Sequence, residues 1–125
     1  MQRVTGIGGI FFKTKDVKKL SEWYARHLGI EQEGGSGFSF KWLEEEAPHR
    51  EAITVWSLFP HDTKYFGPES SSFIINYRVK NLAQLLEQLK SEGVEVGKIE
   101  ESEYGRFAWI SDPDGNRIEL WQPPE

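Results

Sequence analysis

The sequence contains no cysteine. Thiolate nucleophiles, disulfide frameworks and cysteine-ligated metal centres are therefore excluded, and any metal would have to be held by His, Asp or Glu. Long apolar runs are also missing. No segment approaches the roughly 18 residues that suggest a membrane span, and the opening Met1-Gln2-Arg3-Val4-Thr5 lacks the apolar stretch of a secretory signal. The expectation is a cytoplasmic protein without a membrane partner. Positive charge is in deficit, with 15 Lys and Arg against 20 Asp and Glu and a net charge of -5. Gripping a phosphate backbone needs the opposite balance, so nucleic acid is not expected as a partner. No Gly-x-Ser-x-Gly elbow is present to support Ser-His-Asp chemistry. What the chain has in quantity is aromatic surface: 5 Trp, 8 Phe and 4 Tyr in 125 residues. That is enough for a real core and fits one domain spanning residues 1–125, since domains commonly hold about 100–150 residues.

The pattern of apolar residues repeats. The run from Ile7 to Thr14 leads into a helical stripe of Val17, Leu20, Trp23, Tyr24, His27 and Leu28; Phe73 to Val79 leads likewise into Leu82, Leu85, Leu86 and Leu89. Asp16 and Asn81 stand at the expected N-caps, and Gly29 and Gly93 where left-handed C-caps belong. Each helix is followed by strand-like segments, residues 37–42 and 52–56 in the first half and 106–110 and 117–121 in the second, with the stretches around Ile30 and Val94 to Val96 as irregular or briefly extended pieces. Pairing Thr14 with Val79, and Ile53-Thr54-Val55-Trp56 with Ile118-Glu119-Leu120-Trp121, needs the same shift of 65 residues at both ends of the half. Two modules follow, about 1–60 and about 70–125. Asp112-Pro113-Asp114-Gly115-Asn116 has the chemistry of a tight hairpin turn. Residues 44–51 and 60–72 read as surface loops.

The duplicated unit, the Trp23-Tyr24 to Leu28-Gly29 helix end and the Asp112-Pro113-Asp114-Gly115-Asn116 turn running into Ile118-Glu119-Leu120 together resemble the vicinal oxygen chelate superfamily of glyoxalases, bleomycin-resistance proteins and extradiol dioxygenases. The resemblance spans nearly the whole chain. It implies an α+β fold in which two βαβββ modules form a cupped, partly open mixed β-barrel with the helices outside and a cavity inside, often built into a homodimer. Members that bind a divalent metal take ligands from the first and last strands of each module. By that resemblance the positions fall at Gly9, Ile74, Thr54 and Glu119, of which only Glu119 offers a charged donor. The usual metal centre is therefore disfavoured and no cofactor is expected. His27 reads as a packed helix residue, and His49 and His61 as solvated loop histidines without a partner at ligand spacing.

Alternation along strands then selects the cavity face. With Glu119 pointing inward, Arg117 and Trp121 join it, as do Ala52 and Trp56 beside Thr54, Phe11 and Lys13 from Gly9, and Asn76 and Arg78 from Ile74, whereas Ile10, Phe12, Ile75, Tyr77 and Val79 turn to the helices. The candidate ligand-binding set is Phe11, Lys13, Thr54, Trp56, Asn76, Arg78, Arg117 and Trp121, with Glu119 as candidate catalytic residue. Trp56 and Trp121, related by the repeat, would clamp a flat ligand. The alternative is a cup plugged by its own aromatics, with Glu119 a structural carboxylate paired to Arg78, Arg117 or Lys13. Residues 59–68 carry Phe59, Tyr65 and Phe66, apolar for a loop, and serve either as a lid or, as favoured here, in a dimer interface or in packing between the modules; Glu44-Glu45-Glu46 reads as a solvated charge run. Three functions stand: a metal-free small-molecule-binding protein; a superfamily lyase, isomerase or dioxygenase with an atypical metal site or Glu119 as base; and a non-catalytic dimer with a filled cup.

Overall fold

A computed structural model describes residues 3–32, 37–45, 48–67 and 72–125. Glu46 of the charge run and Pro68 of the aromatic loop lie outside them. The elements run β1 (Val4–Thr14), α1 (Val17–Leu28), β2 (Phe38–Leu43), β3 (Glu51–Pro60), β4 (Phe73–Val79), α2 (Leu82–Ser91), β5 (Glu100–Ser102), β6 (Gly105–Ser111) and β7 (Arg117–Gln122). The fold is α+β. Seven strands follow the order β2-β3-β1-β4-β7-β6-β5, an open mixed sheet whose ends do not join. The second module has the full βαβββ pattern. The first, among the described residues, has one strand fewer, and β3 extends four residues beyond Trp56 to Pro60, a residue without an N–H that suits a strand end.

The chain divides into two compact units, one holding Gly9–Phe73 and the other the start of β1 up to Gly8 together with Ile74–Glu125. The division falls within β1, between Gly8 and Gly9, and again between Phe73 and Ile74. In the second unit β4 pairs in parallel with β7, and β6 is antiparallel to both β7 and β5. One face of this sheet carries Val79, Ala108 and Leu120, which pack with Leu82, Leu85 and Leu86 of α2 and with the partly buried Tyr77, Ile110 and Ile118. This is the apolar stripe read from the sequence, buried on the residues that strand alternation assigned to the helix side. Asn81 caps α2, its side chain accepting from Gln84 N at 3.0 Å, and Gln122 Oε1 satisfies Leu82 N at 2.8 Å. Asp112 closes the β6–β7 hairpin by accepting from Asp114 N, Asn116 N and Asn116 Nδ2, each at 2.9 Å. These bonds hold its carboxyl below the usual range, the Asn116 side chain contributing most.

The same unit holds an exposed fork between Arg3 and Glu92, with N···O distances of 2.9 and 2.7 Å. The guanidinium lowers the Glu92 carboxyl to about 2. A carboxylate whose pKa is lower in the folded chain stabilises fully above its ordinary pKa, near 4.3, and that contribution is lost as pH falls toward 2. A carboxyl-resolved NMR titration of Glu92 is expected to show this low midpoint, and Arg3→Gln should return it toward the ordinary value. A midpoint unmoved by Arg3→Gln would remove the ion pair as its cause.

In the first unit β1 runs parallel to β3, and β2 is antiparallel to β3. Asp16 caps α1, accepting from Lys19 N at 3.0 Å, and Gly29 ends it at φ 70°, a left-handed conformation that glycine adopts without penalty. The helix packs on β3 through Tyr24, whose ring lies 4.7 Å from that of Trp56. No residue of α1 is fully buried. No helix in the structure is long and apolar enough to cross a membrane among the described residues.

Candidate functional site

The β4–β7 register places Asn76 opposite Glu119 and Arg78 opposite Trp121, and the β6–β7 register adds Phe107 beside Trp121 and Trp109 beside Glu119. These residues share the sheet face turned away from α2. Glu119 is fully buried. An isolated buried carboxylate is costly. Here one oxygen accepts from Asn76 Nδ2 at 2.5 Å and the other from Trp109 Nε1 at 2.9 Å. Two guanidinium groups cover the indoles on either side: Arg78 lies 5.6 Å from the Trp121 ring and Arg117 5.4 Å from the Trp109 ring. Phe107 stands between the two indoles, nearly parallel to both (15° and 14°), with centroids 6.4 and 6.3 Å away. Trp121 is pinned by its own N–H, which donates to Tyr104 O at 2.7 Å. The Nε of Arg117 is buried without a hydrogen-bond partner, as is Oδ1 of Asn76. The result is a row of three aromatic planes flanked by two cations, with an engaged carboxylate beneath.

Of the candidate residues, Asn76, Arg78, Arg117, Glu119 and Trp121 are brought together on this face. Phe107 and Trp109 were missed. The signal was available: both lie on the strand before the Asp112 turn, and the hairpin places them opposite Trp121 and Glu119.

In the other unit the expected set splits. Phe11 and Lys13 share a face with Phe59, the Phe11 and Phe59 rings being 5.5 Å apart. Thr54 and Trp56 do not join them. Trp56 packs against Phe12, at 5.4 Å, and Tyr24, on the side of α1, and Thr54 Oγ1 on the same side accepts from Trp42 Nε1 at 2.9 Å. The correction comes from register. Gly9 pairs with Val55 and Phe11 with Ser57, whereas Asn76 pairs with Glu119. The caps Asp16 and Asn81 make Phe11 the counterpart of Asn76, so Glu119 corresponds to Ser57, 62 residues earlier (119 minus 57), and not to Thr54 at 65. A slip of three residues, being odd, turns every side chain of the strand to the other face.

Phe59, Tyr65 and Phe66 are absorbed within their own unit: Tyr65 stacks on Phe59 (5.4 Å, 16°), Phe66 meets Phe59 at 5.3 Å and is fully buried, and Lys13 Nζ lies 5.2 Å from the Phe66 ring. The described part of the loop folds over the face of Phe11 and Lys13, with Tyr65 still 38% exposed. His27 is exposed, its ring 4.9 Å from Trp23, not packed as expected. His49 and His61 are exposed, as expected.

The residues at the four metal-ligand positions do not fit a divalent ion. Glu119 has both oxygens engaged by N–H donors, Ser57, its counterpart by register, offers only a neutral hydroxyl, Thr54 lies on the helix side, and Gly9 and Ile74 bring no side-chain donor. No group of three or more His, Asp or Glu suited to a metal occurs among the described residues.

The sequence matches the Glyoxalase/Bleomycin resistance protein/Dioxygenase superfamily over residues 6–120. The chain belongs to this superfamily. No curated protein matches the sequence significantly. Among solved structures, the methylmalonyl-CoA epimerase of Mycobacterium tuberculosis is 22% identical, with a TM-score of 0.63, covering 100% of this chain and 92% of the epimerase. A Streptomyces coelicolor methylmalonyl-CoA epimerase in complex with 2-nitronate-propionyl-CoA gives 16% identity and a TM-score of 0.66, covering 98% and 99%. A Legionella pneumophila protein described as an NAD-dependent benzaldehyde dehydrogenase gives 13% and 0.60, covering 93% and 98%. At these identities the likeness is one of fold. Neighbours with such different named activities show that this superfamily's fold does not select a chemistry.

Proposed function

We propose that this superfamily member binds a small planar anion on the Trp109–Phe107–Trp121 row, without a divalent metal and without chemistry on the ligand. The observation that carries the reading is the pair of arginines laid over two indoles of one sheet face. Aromatic planes supply stacking area at low conformational cost, and a guanidinium held against a ring keeps its remaining N–H donors in a fixed plane suited to a carboxylate or phosphate. The buried, partnerless Arg117 Nε is a donor of that kind. Glu119 supports the face instead of reacting on it, since it is fully buried and both its oxygens are engaged. The methylmalonyl-CoA bound in one epimerase neighbour carries a carboxylate, which agrees with an anionic ligand here.

A second reading, a face filled by its own side chains, is favoured by the burial of Glu119 and Asn76. An epimerase, lyase, isomerase or dioxygenase reading rests on fold alone and lacks a fitting ligand set.

The test is a titration of intrinsic Trp fluorescence with benzoate and other aromatic carboxylates, each paired with its neutral amide. Saturable quenching by the acids is expected, weakened about tenfold or more by Arg117→Gln and by Trp121→Ala, as a charged hydrogen bond or a stacked ring contributes about 1.5–3 kcal/mol. Equal binding of acid and amide would remove the anion from the proposal, and no saturable quenching by any probe would leave the filled face standing.

A further inference from the structure

The hairpin between β6 and β7 contains a peptide bond that can rearrange without an enzyme. Asp114-Gly115 is the one place in the sequence where Asp or Asn precedes Gly, and both residues are exposed. Glycine has no Cβ, so its backbone nitrogen is open to approach by the carboxyl group of the residue before it. Attack of Gly115 N on Asp114 Cγ forms a C–N bond, and the amide proton leaves with a carboxyl oxygen as water. The product is a cyclic imide. Water then opens the imide at one of its two carbonyls: opening at Cγ restores aspartate, and opening at the Asp114 main-chain carbonyl leaves the chain running through Cβ, an isoaspartyl linkage. Nothing is oxidised or reduced, and the water released by ring closure equals the water taken up by ring opening.

We infer that Asp114 is a site of isoaspartate formation and that Asp112 holds it shut in the folded chain. The attacking nitrogen is already occupied, since Gly115 N donates to Asp112 O at 3.0 Å, the bond that closes a β-turn. Aiming that nitrogen at the Asp114 carboxyl requires the turn to open. Opening is resisted by the Asp112 carboxylate, which accepts from Asp114 N, Asn116 N and Asn116 Nδ2, each at 2.9 Å, and by Asp112 N, which donates to Asn116 O at 3.0 Å. The Gly115 N–H also contributes to keeping the Asp112 carboxyl below its usual range. A negative charge so placed disfavours loss of the amide proton that attack requires. Gly115 takes φ 84°, where other residues are strained. The residue that permits the turn therefore also leaves Asp114 open to rearrangement, and Asp112 offsets the liability.

The consequence reaches the aromatic face. An isoaspartyl linkage adds one main-chain atom to a hairpin whose β7 arm begins at Arg117, opposite Ser111. Arg117 is the residue held over Trp109, so lengthening the turn shifts it first. This consequence for ligand affinity rests on the anion-binding reading above; the chemistry at Asp114 does not.

The test is incubation of the whole chain in heavy-oxygen water, because every imide that forms and reopens takes up a labelled oxygen at residue 114, which peptide mass spectrometry locates. Label at Asp114 is expected to accumulate about tenfold or more faster in urea than in the folded chain, since the reactive geometry is reached in the native state only by local opening. Asp112→Ala, shown by far-UV circular dichroism to be folded, is expected to label roughly fivefold faster than the unaltered folded chain, the effect of losing hydrogen bonds to a charged group. Asn116→Ala, which keeps the carboxylate and removes one of its donors, is expected to fall between the two and decides the matter if Asp112→Ala does not fold. No label at Asp114 in urea would show that it is not such a site. Equal rates folded and unfolded, or a folded variant that labels no faster than the unaltered chain, would remove the protection assigned to Asp112. Ligand affinity of the isomerised fraction is measured separately: unchanged affinity overturns the coupling to Arg117 and leaves both the chemistry at Asp114 and the anion-binding reading to their own tests.

Discussion

Gly8→Ala is expected to destabilise the protein by roughly 3 kcal/mol, the upper range for overpacking a filled site, lowering Tm by on the order of 10 °C. Gly8 is buried, and its φ is not in the left-handed region, so the backbone itself would accept alanine. Space is what is missing. A Cβ at this position would fall well inside the contact distance of Asn76 Oδ1 and 2.8 Å from Trp121 Cε3. Asn76 cannot simply retreat, because its Nδ2 holds the buried Glu119 carboxylate, and a buried polar group stripped of a partner costs about 1–3 kcal/mol more. The same geometry accounts for the Asn76 Oδ1 that lacks a hydrogen-bond partner: the Gly8 hydrogen occupying the Cβ direction makes a Cα–H···O contact with it. Urea denaturation of Gly8→Ala beside Gly97→Ala is the check, since a Cβ at Gly97 meets nothing within 4 Å. Equal midpoints for the two variants would show that Asn76 and Trp121 can move without cost.

Glu119→Gln is expected to lower stability by about 2 kcal/mol, within the range for hydrogen bonds to a charged group, while leaving the affinity for an aromatic carboxylate within about threefold. The carboxylate accepts from two donors, Asn76 Nδ2 and Trp109 Nε1. A glutamine has one oxygen and one amino group, so one of the two donors would face another donor. The loss appears in the denaturation midpoint and, because the Trp109 indole is released, in the fluorescence of the folded state. Unaltered stability combined with lost ligand binding would make Glu119 a ligand-contacting group and contradict the supporting role assigned to it. The two variants therefore test one connected device: Gly8 makes room for Asn76, Asn76 and Trp109 hold Glu119, and the indoles of Trp109 and Trp121 present the ligand face.

The second half of the chain was largely legible in advance. Leu82, Leu85 and Leu86 at helical spacing, Asn81 at the cap, the Asp112 turn and the alternation through Ile118-Glu119-Leu120-Trp121 all agree on which side chains meet α2 and which meet Glu119. The first half was legible in its elements and misleading in its faces. Ile53-Thr54-Val55-Trp56 resembles Ile118-Glu119-Leu120-Trp121 closely enough to invite a constant shift of 65, yet β3 meets β1 three residues out of step with that shift. The alternation within a strand is local and follows from the pleat; its phase relative to a neighbouring strand depends on how much chain lies between them, here 46 residues from Phe11 to Ser57 against 43 from Asn76 to Glu119.

By itself the sequence excluded thiol chemistry, specified the helix caps and the hairpin turn, placed the chain within its superfamily and removed the usual metal ligands, because each of these depends on residue identity or on spacing within a few residues. Only the tertiary structure decided that Trp56 supports α1, that Tyr65 and Phe66 fold over Phe11 and Lys13, and that Glu119 is engaged from both sides by Asn76 and Trp109. Those outcomes depend on register and packing between segments tens of residues apart, where one residue of slip exchanges the inside of a strand for its outside.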